Sequence, residues 1–218
     1  MTHKFALLAV SLLAALSLPA AEMTKLTSTP GSNKIRVEGT SSVHDWQIES
    51  AIIGGSAEVG PGFPLTPGAA VKPGPVDAKV TIFIPVHSLK SLEKDGKPYS
   101  TAMDNRMYDA LREADNKRIT YTLTELNLKE APKTAEAPYQ FEAKGELCVG
   151  GVTNKITMPV NVTVLGENKV KFAGTVTVKM TDFKIEPPAL TVLGLGIKTG
   201  DDVKLFFEWI ASKRAPAN

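Results

Sequence analysis

Alternation with a period of two dominates the chain beyond about residue 30, the mark of strands with one apolar face. "KIRVEG" puts Ile35 and Val37 on one side, and "HDWQIESAI" does the same for Trp46, Ile48 and Ile52. "AKVTIFIPV" aligns Val80, Ile82, Ile84 and Val86, with Thr81 and Phe83 opposite. "RITYTLTEL" aligns Ile119, Tyr121 and Leu123 against three threonines. "YQFEAKGELCV" aligns Tyr139, Phe141, Ala143, Leu147 and Val149, and "KITMPVNVTVL" aligns Ile156, Met158, Val160, Val162 and Val164. "KVKFAGTVTVKM" aligns Val170, Phe172, Val176, Val178 and Met180, and "DVKLFFEWI" aligns Val203, Leu205, Phe207 and Trp209. The pattern predicts about eight strands, well beyond the minimum for an independently stable sheet.

The joints agree. "LGENK" at 165–169 predicts an antiparallel hairpin, and "VGGVTN" at 149–154 is a second Gly-rich joint. "GPGFPLTPGAAVKPGP" at 60–75 has no periodicity and reads as a mobile loop, and "KEAPKTAEAP" at 129–138 as a polar surface loop. Pro85 and Pro159 fall inside strand patterns, which predicts edge positions or bulges there. One segment breaks the rhythm. In Tyr99 to Asp115, Met103, Met107 and Leu111 recur at helical spacing, Ala110 and Ala114 widen the stripe, and Ser100 or Thr101 can cap its start. The methionines suit core packing, and their soft side chains equally suit contact with a variable lipid.

Many antiparallel strands and one amphipathic helix predict an all-β fold: an eight-stranded antiparallel, lipocalin-like barrel, with a two-sheet sandwich as the alternative. A membrane barrel does not fit, because the outer parity carries Glu142, Lys144, Glu146, Lys171 and Lys179.

The N-terminus has a separate logic. Lys4 precedes an unbroken apolar run from Phe5 to Leu16, and Pro19 leads to Ala20 and Ala21. This is the order of a secretory signal peptide over residues 1–21, cleaved after Ala20 or Ala21, and the run is short for a spanning helix. A periplasmic or secreted location is therefore expected. No later run is long enough to cross a bilayer as a helix. The net charge is only +2 and neither half carries a basic run, so nucleic acid is not indicated as a partner. The single cysteine, Cys148, cannot form an intramolecular disulfide and reads as a half-exposed strand thiol.

"GTSSVHDW", Gly39 to Trp46, gathers hydroxyls, a histidine, an aspartate and a tryptophan. In an extended strand His44 and Asp45 diverge, and Ser42 and His44 sit about 6.5–7 Å apart, beyond hydrogen-bond reach. With no G-x-S-x-G elbow in the chain, a hydrolase is not expected. His44 and His87 alone, once His3 leaves with the signal, make no recognisable zinc pattern. The motif reads instead as structure or rim, with His44 as a hydrogen-bond partner for the Trp46 indole.

Several segments in order resemble the YceI-like family of exported, lipocalin-like proteins. They are "VEGTSSVHDWQIE", "VTIFIPVHSLKS", "MDNRMYDALREADNKRITYTLTEL", "AKGELCVGGVTNKITMPVNVTVL", "MTDFKIEPP" and "DDVKLFFEW". The resemblance covers about residues 30–212. The chain departs from the commoner Ser-His-Ser form of the first motif by its His-Asp-Trp, and its 60–75 loop is longer than the pattern requires. The resemblance implies an eight-stranded barrel capped by a helix, whose apolar lumen holds a polyisoprenoid or quinone-like lipid. It implies no enzyme activity and no cofactor beyond such a lipid, and a homodimer is compatible with it. Inward parity and the helix stripe make His44, Trp46, Ile82, Ile84, Met103, Met107, Tyr121, Phe141, Met158, Phe172 and Phe207 candidates for the lumen or its rim. The competing expectation is a ligand-free structural or interaction domain, in which Phe141, Phe172, Phe207, Trp46 and Trp209 fill the barrel and leave no lumen.

Overall fold

The computed structural model describes residues 22–166, 169–192 and 195–213; the expected signal segment lies outside them. The strands are β1 (Thr24–Ser28), β2 (Lys34–Ser41), β3 (Trp46–Ser50), β4 (Gly54–Val59), β5 (Gly74–Pro75), β6 (Ala78–Pro85), β7 (Lys90–Leu92), β8 (Arg118–Glu130), β9 (Tyr139–Val149), β10 (Val152–Gly166), β11 (Lys169–Lys179), β12 (Ala189–Val192) and β13 (Leu195–Lys213). The helix α1 spans Thr101–Ala110. Eight strands close an antiparallel barrel in the order β1-β4-β6-β8-β9-β10-β11-β13, and β1 returns to β13.

The barrel's membership differs from the alternation pattern. Two staves, β1 and β4, come from "TKLTS" and "GGSAEV", which carry too few apolar residues to show a period. The strongly alternating β2 and β3 instead form a flap with β7. The long β13 makes this arrangement work. One edge pairs with β11 from Asp202 to Ser212, and the other is shared by β1 near Ala211 and by β2 from Thr199 to Glu208. Ile52 was expected to point inward with Trp46 and Ile48, but β3 ends at Ser50 and Ile52 is 51% exposed.

Two joints follow their residues closely. Gly150 and Gly151, both at positive φ (54° and 80°), form the two-residue link between β9 and β10, a conformation that side-chain-bearing residues resist. β10 and β11 pair as an antiparallel hairpin closing at Gly166 and Lys169. Pro159 lies one residue from the point where β10 parts from β11, since their pairing ends at Val160 and Gly174. A missing N–H costs least there. The gap beyond is packed by Phe183 and Ile185, which cluster with Leu147, Ile156 and Met180. Pro85 ends β6 ahead of a 3-10 turn.

The helix is shorter than the sequence stripe. Ser100 caps it, its hydroxyl accepting from Ala102 N at 3.2 Å. It ends in a Schellman arrangement, with Glu113 N–H donating to Tyr108 O and Arg112 N–H to Asp109 O. Arg112 occupies the position usually given to glycine, at φ 52°. Its guanidinium offsets that strain by donating to Gly150 O (2.6 Å) and Lys184 O (2.5 Å), tying the helix end to two barrel segments.

The 60–75 loop, which reads as unpatterned in sequence, is anchored in the core by part of its length, while Thr66, Pro67, Gly68 and Ala70 stay exposed. Phe63 is 4% exposed, Pro64 is fully buried, and Tyr139 O–H donates to Ala69 O at 2.9 Å. Aperiodicity hid this, because Phe63 is buried by tertiary contact alone.

Candidate binding lumen

Burial along the inward parity divides the barrel into a solid half and an open half. On β13, Ala211 and Trp209 are buried, while Phe207, Leu205 and Val203 stay partly accessible though they share the same face. On β11 the sequence runs from buried Val170 and Phe172 to half-buried Val176 and Val178. On β10 it runs from buried Val162, Val160 and Met158 to half-buried Ile156. Inward residues keep accessible surface only where nothing packs against them. The open half is a cavity of about 1320 Å³, above the roughly 300–1,000 Å³ of ordinary small-molecule pockets. This departs from the filled-barrel alternative.

The bulky aromatics leave room because several lie flat on glycines of the next strand. Trp46 covers Gly39, its register partner, and a Cβ built there would fall inside the indole. Tyr121 covers Gly145, where a Cβ would meet the ring at 2.5 Å. Phe207 covers Gly174, where a Cβ would meet it at 2.7 Å. Outside the barrel, Phe83 covers Gly54 in the same way. Glycine thus turns each lumen ring from a plug into wall lining. Four other rings gather at the boundary of the solid half: Phe63 stacks on Phe141 and Phe172, and Phe172 lies tilted against Trp209.

Of the candidate residues, His44, Trp46, Ile82, Ile84, Met103, Met107, Tyr121, Met158, Phe172 and Phe207 line this cavity. Phe141 does not; it is 2% exposed and stacked behind Phe172's neighbour Phe63. Leu89 and Phe183 also line it but lie in turns outside any alternating run, so no sequence signal marked them.

The mouth is built by the flap and the helix. Met103 and Met107 face the cavity, while the helix's buried residues are Asp104 and Tyr108, on the side facing β7. Asp104 Oδ1 accepts from Ser91 N–H and Ser91 Oγ–H, both at 2.7 Å, and Oδ2 lies 3.5 Å from Lys90 Nζ. Lys90 donates to Tyr108 Oη at 2.6 Å, and Tyr108 O–H donates to Leu89 O at 2.9 Å. These bonds hold the Lys90 ammonium above its ordinary pKa, the Tyr108 contact contributing most.

"GTSSVHDW" straddles a turn, since β2 ends at Ser41 and β3 begins at Trp46. Ser41 Oγ donates to His44 O, Ser42 Oγ accepts from Lys198 N–H, and His44 Nδ1 lies 2.9 Å from the Asp45 carbonyl. The Trp46 indole N–H donates to Thr40 O at 3.2 Å, so His44 is not the partner expected for it. His44 is exposed at the rim, its ring 6.2 Å from Tyr99. His87 is engaged elsewhere, stacked on Tyr108 at 4.9 Å. Among the described residues no three His, Cys, Asp or Glu side chains converge as a metal site would need. Cys148 is half-buried in β9, its register partners Thr120 and Thr153.

Two buried polar atoms lack a hydrogen bond among the described residues, Tyr121 Oη and Trp209 Nε1. Burial pushes the Tyr121 phenol up to about 12, against about 10 for an ordinary tyrosine. The fold favours the neutral phenol, so its contribution is intact below pH about 10 and is lost as pH rises from about 10 towards 12. Tyr121→Phe therefore keeps or gains stability at neutral pH. Its thermal midpoint falls less than wild type's between about pH 8 and pH 11. Equal falls in the two proteins would contradict this assignment.

Together, the closed barrel and the half-empty lumen define a lipocalin-like protein with a large cavity in its open half. The YceI-like domain model matches residues 32–211, and the chain belongs to that family. Among solved structures, a polyisoprenoid-binding domain from Saccharophagus degradans, implicated in plant cell wall breakdown, is similar with a TM-score of 0.61 at 13% identity, covering 88% of this chain and 100% of that one. BcnA from Burkholderia cenocepacia is similar with a TM-score of 0.59 at 14% identity, covering 85% of this chain and 99% of that one. At these identities the likeness is one of fold. No curated protein sequence matches the chain significantly.

Proposed function

We propose that this protein is an exported carrier that shields a long apolar lipid, of polyisoprenoid or quinone-like class, from water. The observation that carries the reading is the cavity of about 1320 Å³, walled by aliphatic and aromatic side chains with polar groups gathered at its mouth. Such a wall favours a ligand by apolar burial, at about 25 cal/mol per Å², without fixed hydrogen-bond partners. Membership of the YceI-like family and similarity to a structure described as polyisoprenoid-binding support the ligand class. The N-terminal segment of Lys4, apolar run and Ala20–Ala21 supports export and a mature domain of about residues 30–212. Ile82, Ile84, Tyr121, Met158, Phe172 and Phe207 contact the chain; Met103 and Met107 cover it; His44 and Trp46 meet its polar end at the rim. No residue in the lumen is assigned a bond-breaking role.

A fluorescent isoprenoid titrated into delipidated protein tests this. The expected result is saturable uptake with a blue-shifted emission, reversed by unlabelled prenol. Emission unchanged from that in buffer would overturn the reading.

A further inference from the structure

We infer that Phe63 and Phe172 together form a stop that sets the longest chain the lumen accepts. This rests on the carrier reading above. The open cavity ends at Phe172 and Trp209, which line it, whereas Phe63 and Phe141 lie immediately behind and do not. Phe172 leans on Trp209 with ring centroids 5.0 Å apart, and Phe63 backs Phe172 at 6.0 Å and Phe141 at 5.7 Å. Beyond this double layer the barrel is solid: Leu26, Ala57, Val162 and Ala211 are 0% exposed. A chain entering from the mouth meets the Phe172 face and can advance no further.

The origin of Phe63 makes the stop adjustable. It belongs to no stave; the 60–75 loop delivers it, anchored by the buried Pro64 and by Tyr139 O–H on Ala69 O. Strand pairing therefore does not depend on it. With Phe63 truncated, the Phe172 ring gains a vacated space to turn into, and the lumen lengthens by a ring layer. Truncating Phe172 lengthens it directly. The rest of the lumen, whose rings are seated on glycines, is untouched by either change.

The test is a ladder of all-trans prenyl alcohols from farnesol to decaprenol, each displacing a dansyl-labelled isoprenoid from wild type, Phe63→Ala, Phe172→Ala and Phe83→Ala. In wild type, affinity rises with each added isoprene unit up to a break and then levels or falls. In both floor variants the break moves to longer chains, by on the order of one isoprene unit. In Phe83→Ala, a comparable truncation outside the barrel, where the ring covers Gly54, it stays in place. Phe63→Leu serves if Phe63→Ala does not fold, with the same direction expected. A break unmoved in the floor variants, or moved equally in Phe83→Ala, overturns the stop and leaves the carrier reading standing. No uptake of any rung by wild type overturns the carrier reading, and the stop falls with it.

Discussion

In Val176→Trp, isoprenoid uptake falls about 60-fold, while the thermal midpoint moves by only a few degrees, on the order of 1 kcal/mol. Val176 lines the open half of the lumen and remains half-buried despite pointing inward. An indole at this position enters empty space, so it does not carry the usual overpacking penalty of a filled core. It displaces ligand contact instead. Losing about 100 Å² of apolar burial costs about 2.5 kcal/mol at 25 cal/mol per Å². A solid barrel would give the opposite pattern, with a large fall in stability and nothing to lose in binding. Titration calorimetry or fluorescence for uptake, together with thermal denaturation, separates the two. A strongly destabilised Val176→Trp protein would mean that the cavity is not open in solution.

The second large effect is at the lid. Asp104→Ala is expected to cost about 3 kcal/mol, because a buried carboxylate that accepts two hydrogen bonds is removed and the Ser91 N–H is left without its partner. For a domain of this size that lowers the midpoint by about 6–12 °C. Asp104→Asn keeps one acceptor oxygen and recovers part of the loss. The functional consequence follows from position: Asp104 pins α1 to β7, and α1 carries Met103 and Met107 across the mouth. Bound lipid should therefore leave faster from Asp104→Ala than from wild type. Stopped-flow transfer of the fluorescent isoprenoid to vesicles measures this. An unchanged release rate in a folded Asp104→Ala protein would show that the helix does not gate the lumen.

Much of the barrel could be read from alternation, because β6, β8, β9, β10, β11 and β13 each bury one face and expose the other to water. What could not be read depended on partners. The staves β1 and β4 hold Leu26, Ala57 and Val59 at the solid end, but their Gly, Ser and Thr neighbours conceal any period. Phe63 sits in a Pro/Gly-rich run with no pattern, and only the rings it meets give it a role. Ile82, Ile84, Tyr121, Met158, Phe172 and Phe207 were legible as a parity, whereas Phe141 shares that parity and lies behind the cavity. Whether those positions enclosed space was not legible. Trp46, Tyr121 and Phe207 count as filling when read along the chain, and become lining once register sets them over Gly39, Gly145 and Gly174. In "GTSSVHDW" one partner was misjudged: the Trp46 indole N–H meets the Thr40 carbonyl, while His44 sits in a turn, its carbonyl accepting from Ser41 Oγ.

A carrier of this kind holds a long apolar lipid in its lumen in the protein's own setting. Native mass spectrometry of the mature protein, purified without detergent from the exported fraction of its own cells, tests it most directly. The expected spectrum holds a population heavier than the polypeptide by the mass of an isoprenoid lipid, converted to the bare mass by organic extraction, with that lipid recovered in the solvent. The bare polypeptide mass alone, with no lipid in the extract and no uptake of a fluorescent isoprenoid, would contradict it.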